Sequence, residues 1–161
     1  MIDATIIRAH QHASDAIGGQ SNQELGRSCG GLSSKIHAKV DALGMPLNFI
    51  ISPGQAHEIN YAYDLIHSTT SCDYLLADRG YDSDDFRLEL NKQSITPVIP
   101  GKSNRLQPIE YDKHTYKERN VIERFFCKIK HFRRIATRYD KTSTMFAGAL
   151  CVVSIILWLR F

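Results

Sequence analysis

No stretch of this 161-residue chain is of low complexity, none repeats, and no shift in composition marks a linker. That leaves an ordinary globular chain long enough to bury a core. Cysteine is sparse: Cys29, Cys72, Cys127 and Cys151 are scattered singly, with neither C-x-x-C nor Cys/His zinc spacing. A structural zinc site and a disulfide framework are thereby excluded, and the thiols read as those of a reduced cytosolic protein. No signal peptide opens the chain, because Met1-Ile2-Asp3 runs directly into a strand-like segment. The one long apolar run, MFAGALCVVSIILWL, covers 15 residues, short of the roughly 20 that span a bilayer. It reads as a buried core helix. A phosphate loop is missing too: Gly101-Lys102-Ser103 has Thr96 where the earlier glycine should stand.

Charge is small in total, +3, but unevenly spread. Residues 113–141 hold ten Lys/Arg, namely Lys113, Lys117, Arg119, Arg124, Lys128, Lys130, Arg133, Arg134, Arg138 and Lys141, against Glu118, Glu123 and Asp140. A basic stripe beside an acidic remainder suits a polyanion, and equally a solvated helix face.

The pattern of residues predicts a mixed α/β order. IDATIIRA (2–9) is short, apolar and β-branched, as strands are. Residues 13–32 are rich in Gly, Ser and Asn and read as a loop. SSKIHAKVDA alternates, with Ile36, Ala38, Val40 and Ala42 on one side and Lys35, His37, Lys39 and Asp41 on the other. It pairs through the turn LGMP with LNFIIS, which Pro53-Gly54 stops. A helix over 57–69 follows, then the strand YLLA (74–77), a helix from Ser83 to about Lys92, and the short strand ITPVIP. A long basic helix over about 116–134 and a last helix over about 142–160 complete the chain. A strand meander followed by alternating helices and strands implies a mixed sheet covered by helices.

Three acids stand out by position. On the basic helix, at about 100° per residue, Tyr116, Arg119, Cys127 and Lys130 fall within about 40° of Glu123. A carboxylate among cations is either a salt-bridged structural acid or a metal ligand whose neighbours hold phosphate. Asp78 closes an apolar strand just before Gly80, where open sheets build sites; it can equally cap a turn. Asp3 interrupts an apolar strand, which costs burial energy unless it faces water or binds something. Hard oxygen donors of this kind suit Mg²⁺ or Mn²⁺, and three converging carboxylates without a cation would raise one another's pKa values. His10 and His12 share a strand face but lack a third ligand, and Asp82, Asp84 and Asp85 read as turn and helix-start acids. The GRSCGG segment reads as a flexible connection.

The spacing Tyr116-x₂-Arg119-x₃-Glu123-x₆-Lys130 resembles the signature of bacterial insertion-sequence transposases of the DDE type. The segments DATIIRAHQHA, GGLSSKIHAKVDALG, PGQAHE, LLADRGYDSD, YKERNVIERFFCKIKHFRRIATRYDK and IILWLR are similar to family sequence as well. The likeness covers nearly the whole chain. It implies an RNase H-like α/β fold, a mixed sheet flanked by helices, with residues 1–161 as a single catalytic domain. It further implies that Asp3, Asp78 and Glu123 are the catalytic and metal-binding acids. They would hold two Mg²⁺ ions, with Mn²⁺ able to substitute, cut double-stranded DNA at element ends and join the freed 3′-OH to a target. Arg119, Lys130, Arg133 and Arg134 would contact DNA, and Tyr116 would position the strand. A homo-oligomer on DNA, a cytoplasmic, nucleoid-associated location and no membrane partner are also implied.

Only Met1 and Ile2 precede Asp3, whereas the family carries a longer first strand and a helical DNA-binding domain before it. The resemblance therefore implies a truncated copy or a downstream-frame product, joined in some relatives to an upstream-frame product by ribosomal frameshifting. Two other readings stay open: a catalytically inactive DNA-binding remnant that damps transposition, and a different RNase H-like nuclease, which the Tyr/Arg/Glu/Lys spacing disfavours.

Overall fold

The computed structural model describes residues 1–15, 18–67 and 72–160. Its main sheet has five strands: β1 (Ile2–Ala9), β2 (Gly26–Ser28), β3 (Gly31–Val40), β4 (Pro46–Pro53) and, last in the chain, β7 (Thr137–Arg138). β3 lies antiparallel to β1, from Ile2 opposite Lys39 to Arg8 opposite Ser33, and antiparallel to β4 and β2. β7 runs parallel to the end of β1, so the sheet is mixed. A second, two-stranded parallel sheet joins β5 (Tyr74–Leu76) to β6 (Thr96–Val98). The helices are α1 (Ile59–His67), α2 (Asp84–Lys92), α3 (Lys113–Tyr116), α4 (Asn120–Lys130), α5 (Arg133–Ala136) and α6 (Ser143–Leu159). The architecture is the mixed α/β sheet flanked by helices of an RNase H-like fold.

Two apolar clusters pack the sheet. Ile7, Ile36, Ala38 and Val40 meet Ile122, Phe125, Phe126 and Ile129 of α4 and Phe146, Leu150 and Val153 of α6. Ile2 belongs to the other cluster, with Ala62, Leu65 and Ile66 of α1, Leu75 of β5, and Phe86 and Leu90 of α2. Successive strand residues point to opposite faces. Asp3, Thr5 and Ile7 therefore share the α4 side of β1, and Ile2 the opposite side.

The hairpin and the terminal helix follow the sequence pattern. Other elements differ. β3 is covered on both faces, so Lys35, His37 and Lys39 are buried along with the apolar row. The expected loop over 13–32 contains β2 and the start of β3, with residues 16 and 17 outside the described range. The helix expected over 57–69 begins at Ile59, and residues 68 and 69 likewise lie outside it.

The long basic helix is interrupted twice. A 3-10 turn occupies Lys117–Arg119, and Phe132 is extended at φ −83°, ψ 111°. Asp112 starts the segment early by accepting from His114 N and Thr115 N. Beyond Phe132 the chain turns so that Ile135 enters the core and Thr137–Arg138 pair with β1. Arg138, part of the supposed surface stripe, is fully buried. It donates to Ser34 Oγ at 2.6 Å and Asp140 O at 3.0 Å and lies over the Phe146 ring. Its charge is structural.

α6 is only half a core helix. Phe146, Leu150 and Val153 are buried, while Met145, Val152, Ile155 and Leu159 are exposed, because an all-round apolar helix can turn only one face to the sheet. Among the described residues no helix is long and apolar enough to cross a membrane. The cysteines are free, with Cys29, Cys127 and Cys151 exposed.

Buried His37 gives the fold a pH dependence. Its Nε2 lies 2.7 Å from Ser52 Oγ, its ring stacks on Tyr61, and Nδ1 has no partner among the described residues. Burial first, and Lys35 second, lower its pKa from 6.5 to about 4. The imidazole is thus neutral when folded. Its contribution is complete above the unfolded pKa near 6.5 and is lost as pH falls towards 4, a total of about 3 kcal/mol. Urea unfolding of the protein and of His37→Gln at pH 7, 6, 5 and 4 is expected to show a stability gap that changes by about 1.4 kcal/mol per pH unit in the lower half of that window. A gap constant with pH would mean that His37 binds its proton as readily in the folded chain as in the unfolded one.

Candidate metal centre

Asp3 lies near the start of β1, opposite Ala38. Its Oδ1 accepts from Ala4 N at 2.8 Å and its Oδ2 from Arg119 Nη1 at 2.8 Å, leaving the side chain 13% exposed. Burial pushes its pKa up to about 6, helped by Asp78 and Glu58 and opposed by the Ala4 N–H and Arg119. The cost of an acid in this strand is therefore only partly offset by its partners.

Asp78 follows β5 and begins a single 3-10 turn, Arg79–Tyr81, accepting from Gly80 N at 2.8 Å. It caps that turn and also presents a carboxylate to Asp3. Glu58 stands just ahead of α1, after β4 has ended. Lys35 Nζ on β3 lies 3.2 Å from Glu58 Oε1 and donates to Ala56 O at 2.8 Å. One carboxylate oxygen from each of Asp3, Glu58 and Asp78 falls within 4.8 Å of the others. Gly80 makes this approach feasible: a Cβ there would come within 2.8 Å of both Asp78 Oδ1 and Glu58 Oε2. Tyr81 is fully buried, and among the described residues its hydroxyl has no hydrogen-bond partner. Three convergent carboxylates, a glycine cradle and hard-oxygen chemistry fit a divalent cation such as Mg²⁺ or Mn²⁺.

Glu123 is placed differently. Its carboxylate is about half exposed and ion-paired with Arg119, whose guanidinium bridges it to Asp3. Arg119 also lies 5.7 Å from the Tyr116 ring, which meets Tyr111 edge-on. Lys130 Nζ donates to Thr5 Oγ1 at 2.7 Å, two residues along the face of β1 that carries Asp3. Arg119 and Lys130 thus reach the Asp3 face of β1 despite the broken helix, and Tyr116 and Glu123 join them through Arg119. Arg133 is exposed on α5, and Arg134 is ion-paired with Asp140.

The sequence reading missed Glu58. The segment PGQAHE carried the signal, an acid where a strand gives way to a helix, as at Asp78. Away from this site the decoys are structural. His10 caps a short turn and stacks on Tyr139. Asp82 is more than a turn acid, since its side chain is buried between Arg87 and Arg105.

The sequence profile of the family described as the transposase DDE domain matches residues 1–158. A Brucella ovis protein whose name assigns it to insertion sequence element IS6501 as a transposase is 35% identical over 130 residues, 80% of this chain and 100% of its own length. A Burkholderia cepacia protein named for the transposase of IS402 is 29% identical, over 73% of this chain and 58% of its own length. The transposase of IS1106 from Neisseria meningitidis serogroup B is 29% identical, over 67% of this chain and 40% of its own length. The chain therefore spans little more than half, or less, of these last two relatives. No solved structure matches it.

Proposed function

This chain belongs to the family of DDE-domain transposases, and from that premise we propose that residues 1–161 form one catalytic domain that cuts DNA and transfers strands with the help of divalent metal. The observation that carries the reading is the meeting of Asp3 and Asp78. They are 75 positions apart, yet the ends of two strands bring their carboxylates within 4.8 Å. Glu123 is the third acid, linked to Asp3 through Arg119.

Asp3, Asp78 and Glu123 would hold Mg²⁺ or Mn²⁺, in two positions when DNA is bound. The ions would supply Lewis acidity that activates a hydroxyl and stabilises the leaving oxygen in phosphodiester displacement. The remaining roles belong to side chains. Lys130, anchored on Thr5, holds the phosphate backbone beside β1. Arg119, held between Asp3 and Glu123, would contact phosphate, and Tyr116 braces it from the side. Arg133 and Arg134 extend the contact beyond the helix break. Double-stranded DNA, as element end and as target, is the partner, and a homo-oligomer assembled on two ends is the working form. The bacterial cytoplasm, at the nucleoid, is the place of action.

The rival, an inert DNA-binding remnant, draws on one observation: Glu123 stands outside the acidic trio, tied to Arg119. Metal dependence separates the two. Supercoiled plasmid incubated with the protein and Mn²⁺ is expected to become nicked, and EDTA to stop the conversion. Plasmid that the protein retards on a gel but never nicks, at any Mn²⁺ concentration, would establish the remnant instead.

A further inference from the structure

We propose that Glu58 is a further metal ligand, completing with Asp3 and Asp78 a three-carboxylate site for one hard divalent cation. The inference rests on the proposed function and adds a donor to the set of Asp3, Asp78 and Glu123. Glu58, on the approach to α1, brings a carboxylate oxygen within 4.8 Å of one from Asp3 and one from Asp78. Glu123, by contrast, is about half exposed and outside that group.

Two further features point to a ligand. Gly80 sits where any Cβ would strike Asp78 Oδ1 and Glu58 Oε2, so the missing side chain keeps these oxygens open to a shared occupant. The buried Tyr81 hydroxyl has no partner among the described residues, yet Glu58, Asp3 and Asp78 are the charges that act on it. An unsatisfied buried hydroxyl is costly. An oxygen carried into the site, such as a water on the cation, would accept from it.

The plain rival is that Glu58 only neutralises Lys35. Lys35 faces Oε1, however, while Oε2 is turned towards Gly80 and Asp78. Lys35 and Arg119 together bring two positive charges to four carboxylates, Asp3, Glu58, Asp78 and the Arg119-bound Glu123, leaving two negative charges that a divalent cation would balance.

Calorimetric titration with Mn²⁺ alone, no DNA present, tests this on the full chain. Glu58→Gln is expected to weaken Mn²⁺ binding at least about tenfold, since even the loss of a group that merely orients a ligand costs that much. Lys35→Met is expected not to weaken it, because it removes a competing cation and leaves Glu58 in place. Equal weakening by both variants, or none by Glu58→Gln, overturns the proposal. If Asp78→Asn loses Mn²⁺ while Glu58→Gln keeps it, Glu58 is excluded and the transposase chemistry stands. If the unaltered chain binds no Mn²⁺, both fall. Should Glu58→Gln fail to fold by circular dichroism, Glu58→Asp carries the same test. It keeps a charge for Lys35 and withdraws the carboxylate by one methylene. Affinity then falls if Glu58 ligates and holds if it only balances Lys35.

Discussion

Asp78→Asn is expected to abolish DNA cleavage and strand joining, by at least about 10³-fold, the scale on which loss of one catalytic group is felt. Its fold and its general DNA affinity should stay nearly unchanged. The substitution is close to isosteric, and the asparagine oxygen can still accept from Gly80 N, so the turn after β5 remains capped. Asp78 presents its carboxylate to Asp3 and disfavours the ionisation of Asp3. Removing one charge from that pair relieves repulsion in the metal-free protein, so the melting temperature should hold or rise. On the proposed reading, exposed cations such as Lys128, Lys130 and Arg133 supply the affinity for the DNA backbone, which should not change. Glu123→Gln makes a second case. Its ion pair with Arg119 is exposed on the carboxylate side and contributes under about 1 kcal/mol, so this variant too should be folded, DNA-binding and inactive. Cleavage and melting measured on the same samples decide the matter. Wild-type cleavage by Asp78→Asn would remove Asp78 from the chemistry, and a large fall in melting temperature would make it a structural acid.

What the sequence made legible was whatever a local period could carry. The alternation over 33–42 located β3, the run of β-branched residues located β1, and the apolar C-terminal stretch located α6, because strand and helix burial leave periods of 2 and 3.6. Asp3 and Asp78 were visible because an acid in or at the end of an apolar strand conflicts with its surroundings. Long-range pairing was not visible. Lys35, His37 and Lys39 look like a solvent face until α1 is laid over them. Arg138 looks like one more cation in a basic stripe until its bonds to Ser34 and Asp140 are seen. The break at Phe132 follows from the need to bring β7 beside β1, a demand no residue near 132 announces. Glu58 was overlooked for the same reason. Its meaning comes from Asp3 and Asp78, 55 and 20 positions away, and from Lys35 on a third strand.

Asp82→Ala is expected to destabilise the protein by about 3–5 kcal/mol, the cost of removing one partner from a buried ion pair. Asp82 accepts from Arg87 Nε at 3.0 Å, Arg87 Nη2 at 2.9 Å, Arg105 Nε at 2.6 Å and Lys102 N at 2.8 Å, with its own side chain fully buried. Arg87 is itself buried and would keep only its bond to Ile99 O. Burial alone would raise the Asp82 pKa, but Arg105, the Lys102 N–H and Arg87 outweigh it and hold the pKa near 2. The folded value is depressed, so this contribution is present above the unfolded value near 4 and fades only as pH falls through about 2. The penalty of the substitution should therefore be the same at pH 6 and pH 8. At about 2–4 °C per kcal/mol for a chain of this size, the melting temperature should fall by roughly 10 °C at either pH. The effect should also reach the candidate site, because the Asp82 side chain anchors the residue whose backbone N–H donates to Arg79 O and closes the turn that Asp78 opens. At a temperature where the variant is still fully folded, its Mn²⁺ affinity should be lower than that of the unaltered chain. A melting temperature within about 2 °C of the original would mean that Arg87 and Arg105 find other partners. Lowered stability with unchanged Mn²⁺ affinity would mean that capping by Asp78 alone suffices to hold the turn in place.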